Sequence, residues 1–348
     1  MTADSGAPAP RRRPWPVRHG RAILAALLGA ALFALLLRRA GDLGAVADVL
    51  RGALARPGWL ALGAALFALS LGCGLARWRS LLRALRLPVP LADAARLYAA
   101  GHCFGVLGPG ATGGDVVKAA WFAARTPGRR ADAVASIAAE RLIGVLALAC
   151  FVAGVLLARA DFFARDPGLA ALRRGLLLAF AAVAACAITL AAIDANALAR
   201  RLRPERGGAA GRAAAAVLRV WGAVRVCLRH PRAAGAAFAL SILNFATMVC
   251  CWFALSRAAG MALPFRDLAA ATPVADAAAA LPVTPGGAGL RENLLQRLLD
   301  AADVPRAQST ALGLLMFATI LLWALLCGAY ALSGRRAAAL PLPRNGRP

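Results

Sequence analysis

The sequence predicts an all-α polytopic membrane protein, with about six full transmembrane helices and two re-entrant helical segments arranged as an inverted repeat. Three observations predict it. The 348 residues are 61% apolar with a mean hydropathy of +0.66, and a soluble domain of this size needs more polar surface to cover its core. Apolar runs of membrane-spanning length recur along the chain, so the bilayer is the solvent. Two further apolar stretches are each interrupted at mid-length by Gly and Pro, at corresponding places in the two halves.

The spans are expected at residues 22–37, 59–76, 133–157, 175–193, 233–255 and 308–332. The first ends in Arg38-Arg39 without a small-x-small cleavage site before the charges, so it reads as an uncleaved helix rather than a signal peptide. Trp59, at the head of the second, and Trp78, just past its end, fit interfacial anchors. The broken stretches are 97–124 and 268–299. The domain plan is then a basic arm at 1–21, a transmembrane domain at 22–332 and a tail at 333–348. The transmembrane domain divides into halves at 22–157 and 175–332, and a basic loop lies at 194–232.

Charge orients the plan. The chain carries 41 basic and 16 acidic residues, a formal net charge of +25, and every basic residue except Lys118 is arginine. Five arginines lie in the arm (Arg11, Arg12, Arg13, Arg18, Arg21), four after the second span, nine in 194–232 and four in the tail. All fall on one side if each broken stretch returns to the side it left. That side is the cytoplasm of a bacterial inner membrane, with both termini inside. Arginines in short loops beside apolar spans fit anionic lipid and exclude nucleic acid as the partner. With the same constraint, the first half reads span, span, re-entrant segment, span, and the second repeats this order from the opposite face, a transporter architecture. Within the basic loop, Val217, Trp221, Val224 and Leu228 share one helical face and Arg212, Arg219, Arg225 and Arg229 another. That pattern fits either an amphipathic surface helix or a solvated connector.

Eight cysteines form no C-x-x-C or Cys/His cluster, so neither a zinc site nor a disulfide framework is expected, and no cofactor. The residues that carry chemistry gather instead at the breaks. The first reads Pro109-Gly110-Ala111-Thr112-Gly113-Gly114-Asp115, the second Thr284-Pro285-Gly286-Gly287-Ala288-Gly289-Leu290-Arg291-Glu292. Backbone without helix partners survives at membrane depth only beside protein or a wet cavity. The half-helix after each break offers free N–H groups to a phosphate. Asp115 is either an N-cap for a half-helix from Val116 onward or a site residue; Lys118, one turn on, either meets a lipid phosphate or snorkels to the interface.

Glu140-Arg141 stands inside an apolar run, where a charge costs roughly 2.5–3.5 kcal/mol on insertion scales unless paired. Adjacent helical residues point about 100° apart, so each is expected to find a partner elsewhere, with Asp115 and Arg291 as candidates. Arg291 and Glu292 give the second break the same mixed charge. Asp276 reads as a buried carboxylate or a coupling-proton site, Thr284 as a hydroxyl donor or turn residue, His102 as a local packing or hydrogen-bonding residue rather than a proton relay, and Asn244 as interhelical glue rather than a ligand.

At these positions the chain resembles the lysylphosphatidylglycerol synthase transmembrane family, a flippase-like module. The matching segments are 104–118 (FGVLGPGATGGDVVK), 139–144 (AERLIG) and 281–292 (LPVTPGGAGLRE). Glu140 stands where the family more often has Asp, and Lys118 where Arg is commoner; both keep the charge. The resemblance implies a lipid-translocating domain with two re-entrant helices. It does not imply lysyl transfer, which in the full-length synthases belongs to a separate cytosolic domain; with sixteen residues after Leu332, no such enzyme activity is expected. The implied cargo is an anionic, aminoacylated, glycolipid or polyprenyl-linked headgroup. The alternative is an enzyme or accessory subunit of a hopanoid or glycolipid modification pathway. A lipid-biosynthesis enzyme and a second copy of the chain are the protein partners this reading leaves open.

Overall fold

A computed structural model describes residues 43–87, 89–107, 113–126, 128–192, 221–222, 224–279 and 290–333. The helices with defined bounds are α1 (Leu43–Leu54), α2 (Pro57–Ala84), α3 (Leu91–Leu107), α4 (Gly113–Arg125), α5 (Arg130–Ala158), α6 (Ala160–Phe163), α7 (Pro167–Ala192), α8 (Pro231–Ala258), α9 (Phe265–Ala279), α10 (Leu290–Asp300) and α11 (Arg306–Ser333). No strand occurs among the described residues. Five helices, α2, α5, α7, α8 and α11, are long and apolar enough to cross a membrane. They coincide with five of the expected spans; the span at 22–37 lies outside the described residues. The protein is thus a multi-pass α-helical membrane protein.

The centre of the bundle is α2 against α8, the most extensive helix pairing. Both are 28 residues long and both begin with proline, whose missing N–H costs nothing in a first turn. At their contact Ser70 Oγ donates to Asn244 Oδ1 at 2.9 Å, 174 residues away. Pro57 and Pro231, Ala84 and Ala258, and the starts of α3 (Leu91) and α9 (Phe265) stand at this same offset. The helices also end alike. Leu87 N–H returns to the Leu82 carbonyl and Met261 N–H to that of Ser256, across left-handed residues Arg86 (φ 50°) and Gly260 (φ 72°). This is the Schellman closure, with the buried residue that follows it, Leu87 or Met261, sealing the turn. A left-handed arginine costs about 1 kcal/mol more than glycine, yet the same turn forms at both sites.

α2 continues two turns beyond the expected end at Ala76, so Arg77 and Trp78 lie within it. Trp78 is not an interfacial anchor: it is 0% exposed and its indole donates to Ser136 Oγ at 3.3 Å. Trp59, 39% exposed at the head of α2, keeps the interfacial reading.

Each broken stretch consists of two helices packed on one another, α3 on α4 and α9 on α10. The breaks themselves, 108–112 and 280–289, lie outside the described residues. In the first pair, Gly101 and Gly105 of α3 face Gly114 of α4 so closely that a Cβ on Gly114 would collide with the Gly101 carbonyl and the Gly105 amide. After α4 the chain comes back to where α3 began: the Arg129 guanidinium donates to the carbonyls of Leu85 (2.8 Å) and Arg86 (2.7 Å). In the second pair, Met261, Leu263 and Leu268 share one cluster with Leu298, Leu299 and Val304. At the opposite end of the bundle, Arg56 donates to the Ala258 carbonyl (2.9 Å), and Arg159 donates to Asp267 (2.8 Å) and the Arg266 carbonyl (2.5 Å). Each broken pair also lies on the last span of the other half, α3 on α11 and α9 on α5.

In the basic loop only 221–222 and 224–232 are described; Arg212, Val217 and Arg219 lie outside. The expected apolar face is divided. Val224 is buried whereas Leu228 is 59% exposed, and Arg225 stacks over the Trp221 ring at 4.6 Å. The chain here packs through Val226 and Cys227 instead.

Gly114→Ala is expected to lose about 1–3 kcal/mol in detergent-solubilised thermal unfolding, because the obstructing atoms are backbone. Gly72→Ala, with nothing within 4 Å of its Cβ position, should be neutral or stabilising by up to about 1 kcal/mol.

Candidate functional site: a charged cavity between the halves

Glu140 sits ten residues into α5, about 15 Å along its axis, and is 6% exposed. A lone carboxylate there would be strongly disfavoured. Two cations from other helices meet it. Lys118 Nζ donates to Oε2 at 2.5 Å and Arg77 Nη2 to Oε1 at 3.2 Å. Lys118 does not snorkel: it is 3% exposed, and its ammonium stands 3.8 Å from the Trp78 ring centroid and 4.9 Å from that of Tyr98. Aromatic faces supply the partial negative charge that water would otherwise give. Close passage of α4 over Gly101, whose Cβ position is 3.5 Å from the Lys118 chain, lets this short-range cluster form.

Arg77 also donates through Nη1 to Ser241 Oγ on α8 at 3.2 Å. Its Nε has no hydrogen-bond partner among the described residues although it is buried. Arg141 turns away from Glu140 and pairs with Asp115 at 3.3 Å, both partly exposed. The expectation that Glu140 and Arg141 find separate partners fits this geometry, and Asp115 is one of the two candidates. Arg291 is not the other; Arg77 and Lys118 hold Glu140. Asp115 lies inside the first turn of α4, which begins at Gly113, rather than capping a helix from Val116.

Arg77, Asp115, Glu140 and Arg141 face a cavity of about 430 Å³ reached by α2, α3, α4, α5, α8, α9 and α11, whose wall also includes Tyr98, Asn244 and Asp276. A smaller lobe of about 200 Å³ runs between Gly101, Gly105 and Gly114 toward Lys118. Arg77 and Lys118 together outweigh Glu140 by one positive charge, and the Arg141–Asp115 pair is neutral. The first-half wall therefore suits an anion, with the free Nε–H of Arg77 as a donor to it. No cluster of metal-ligating side chains occurs among the described residues.

The second half builds a related arrangement. Arg291 and Glu292, each 3% exposed, bond to one another, with Arg291 Nε donating to Glu292 Oε1 at 3.0 Å. Neighbours in sequence thus pair here, where the long guanidinium reaches back. Arg291 also lies over the Trp252 ring at 5.6 Å. Trp78 and Trp252 stand at the 174-residue offset, so each half sets a cation on an equivalent indole. Trp252 Nε1 donates to Asp276 Oδ2 at 2.9 Å. His102 tilts against Phe67 with ring centroids 5.9 Å apart, and its Nε2 is buried without a partner among the described residues. Thr284, Pro285, Gly286 and Gly287 lie outside the described residues, whereas Gly113 and Gly114 open α4.

Arg77, Trp78, Tyr98, Ser241 and Trp252 were not legible as site residues. The usable signal was the repeat spacing: the two tryptophans share an offset with the prolines that open α2 and α8.

Fold and site together define a polytopic α-helical membrane protein with an ion-paired cavity at the junction of its helices. The family model described as the lysylphosphatidylglycerol synthase TM region matches residues 22–328. The chain belongs to that family. A comparison with curated proteins finds no match.

Glu140→Gln leaves two buried cations short of a counter-charge and should cost about 3–5 kcal/mol. Adding Lys118→Met should recover part of it, giving a coupling of about 0.5–3 kcal/mol in a double-mutant cycle read by thermal unfolding. Additive losses would mean that the two side chains do not act as a unit.

Proposed function

We propose that this chain carries lipid headgroups across the bacterial inner membrane as a flippase. The cargo class is an anionic phospholipid, an aminoacylated lipid, or a polyprenyl-linked or glycolipid phosphate. The observation that carries the proposal is the Arg77–Glu140–Lys118 cluster on the wall of a cavity inside an otherwise apolar bundle. Charge at this depth is costly, and one unit of it is uncompensated within the cluster. A phosphate oxygen entering beside Arg77 would supply the missing negative charge and take the unpaired Nε–H, while the acyl or prenyl tail stays in lipid.

The alternating-access element in this reading is an inverted repeat. The 174-residue offset between α2 and α8, the matched Schellman turns and the crossed packing of each broken pair support it. The pairs α3–α4 and α9–α10 are read as re-entrant hairpins from opposite faces, with the cavity between them and one half rocking against the other. Both termini are assigned to the cytoplasm, the side of the arginine-rich arm and tail. Activity is assigned to transport rather than to headgroup chemistry.

In a cysteine-free background, Arg86→Cys and Gly128→Cys should react with an impermeant thiol reagent from one face, and Gly260→Cys and Asp303→Cys from the other. Labelling of Arg86→Cys and Gly128→Cys from opposite faces would remove the re-entrant reading.

Reconstitution into liposomes with a fluorescent anionic phospholipid, and a membrane-impermeant quencher, tests transport. Arg77→Gln leaves the Lys118–Glu140 ion pair in place and should fold, but it removes the uncompensated charge and the Nε–H, so it should transfer label at least about tenfold more slowly, as loss of charge-assisted contacts implies. Transfer equal to wild type would remove this mechanism.

A further inference from the structure

The cavity holds one carboxylate that the headgroup site does not use. Glu140 is met by two cations and Asp115 by Arg141. Asp276, on α9, lines the same cavity and receives only a neutral donor, the Trp252 indole N–H at 2.9 Å. No cation lies within ion-pair distance of it among the described residues. Arg291, which acts on Asp276 only through space, is bonded to Glu292 and rests on the ring of that same indole. A carboxylate in a largely apolar bundle with no counter-ion among the described residues is placed to hold a proton rather than a charge.

The surroundings of Asp276 give that proton a consequence. From α10 it faces Arg291 and Glu292, and from α8 Trp252 and Cys251. From α5 come Glu140 and Arg141, and across the cavity Arg77, Tyr98, His102 and Asp115. Asp267, on α9 itself, is tied to Arg159 at the end of the helix. In the first half, Arg77 and Lys118 exceed Glu140 by one positive charge. In the second, Glu292 and ionised Asp276 exceed Arg291 by one negative charge. Ionised Asp276 thus makes the whole set neutral, whereas protonated Asp276 leaves it one unit positive. Protonation and the entry of an anion favour one another, and by linkage each raises the affinity for the other by the same factor.

We infer that Asp276 is the proton-binding site that couples movement of an anionic headgroup to a proton gradient, the two crossing together. The inference rests on the flippase reading and adds its driving ion. A proton from water on one face joins Oδ1, which has no hydrogen-bond partner among the described residues, while Oδ2 keeps the Trp252 hydrogen bond. It leaves to water on the other face after the cavity has turned and the anion has gone. His102, at the 174-residue offset from Asp276 and with a buried Nε2 that has no hydrogen-bond partner among the described residues, is a second titratable group lining this cavity and is the necessary control.

Two measurements decide it. In infrared difference spectra of the purified full chain across an acid-to-neutral step, the wild type should show the band of a poorly hydrated carboxylic acid, and Asp276→Asn should lack it. In liposomes holding a fluorescent anionic phospholipid, with the membrane potential clamped at zero, an imposed pH gradient should drive label toward the alkaline face at least about fivefold faster than the reverse. Asp276→Asn should still exchange label but equally in both directions, and His102→Gln should keep the directional response. A missing infrared band, a wild type indifferent to the gradient, or a response lost in His102→Gln and kept in Asp276→Asn would each overturn the inference. A wild type that shows the band but moves no lipid would overturn the flippase reading and the coupling with it, leaving Asp276 as a proton site alone.

Discussion

The buried carboxylate of Glu140, held between Lys118 and Arg77, is the constraint on which the first half of this molecule depends. Desolvating an ion costs several kcal/mol, and only close partners from several directions offset it. Those partners come from α2 and α4, so satisfying Glu140 fixes three helices relative to one another. Lys118 in turn needs α4 to lie within reach, which is possible because Gly114 passes over Gly101 and Gly105 with no side chains between. The glycines set the distance, the distance lets the lysine reach, and the lysine makes the glutamate tolerable. In a bilayer, where apolar burial contributes little to helix association, such polar contacts and close backbone packing carry much of the specificity.

The same backbone frame serves twice. Helices α2 and α8 share length, first residue and terminal turn, and the hydrogen bond between Ser70 and Asn244 joins equivalent positions. In the proposed inverted-repeat reading, equivalent residues meet near the axis that relates the halves, and a crossing at two residues 174 apart fits that reading. What differs is chemistry. Arg86 and Gly260 occupy the same left-handed turn, one strained and one not. The strained one is compensated, since the carbonyls of Leu85 and Arg86 accept from Arg129 and pin the return of α4 at that point.

Most of this plan could be read from the chain. Five spans coincided with apolar runs because hydropathy reports the one property a spanning helix cannot avoid. The two-helix nature of the broken stretches was legible because clustered Gly with Pro disfavours a helix far more than an isolated proline, such as Pro273, which α9 keeps within it. Asp115, Lys118, Glu140 and Arg141 were conspicuous as charges among apolar residues. Arg77 was hidden for the opposite reason: a charge at the edge of an apolar run looks like the end of the span. The helix continues because Glu140, 63 residues away, neutralises that arginine, and local composition carries no trace of a distant partner. Trp78 was lost with it, taken for an interface residue although the Phe122 ring packs against it nearly at right angles and Lys118 lies over its face.

The two indoles make the division of labour between the halves explicit. Trp78 gives its N–H to the Ser136 hydroxyl and its face to Lys118, whose charge Glu140 answers. Trp252 gives its N–H to the Asp276 carboxylate and its face to Arg291, whose charge Glu292 answers. A cation on an aromatic face with an acid beside it is therefore common to both. The hydroxyl in one half and the carboxylate in the other are what break the equivalence. A neutral acceptor leaves the first site with a fixed charge, whereas a carboxylate gives the second a charge that depends on a proton. Because Glu140 and Asp276 line one cavity, a proton gained or lost by Asp276 changes the electrostatic character of the whole space.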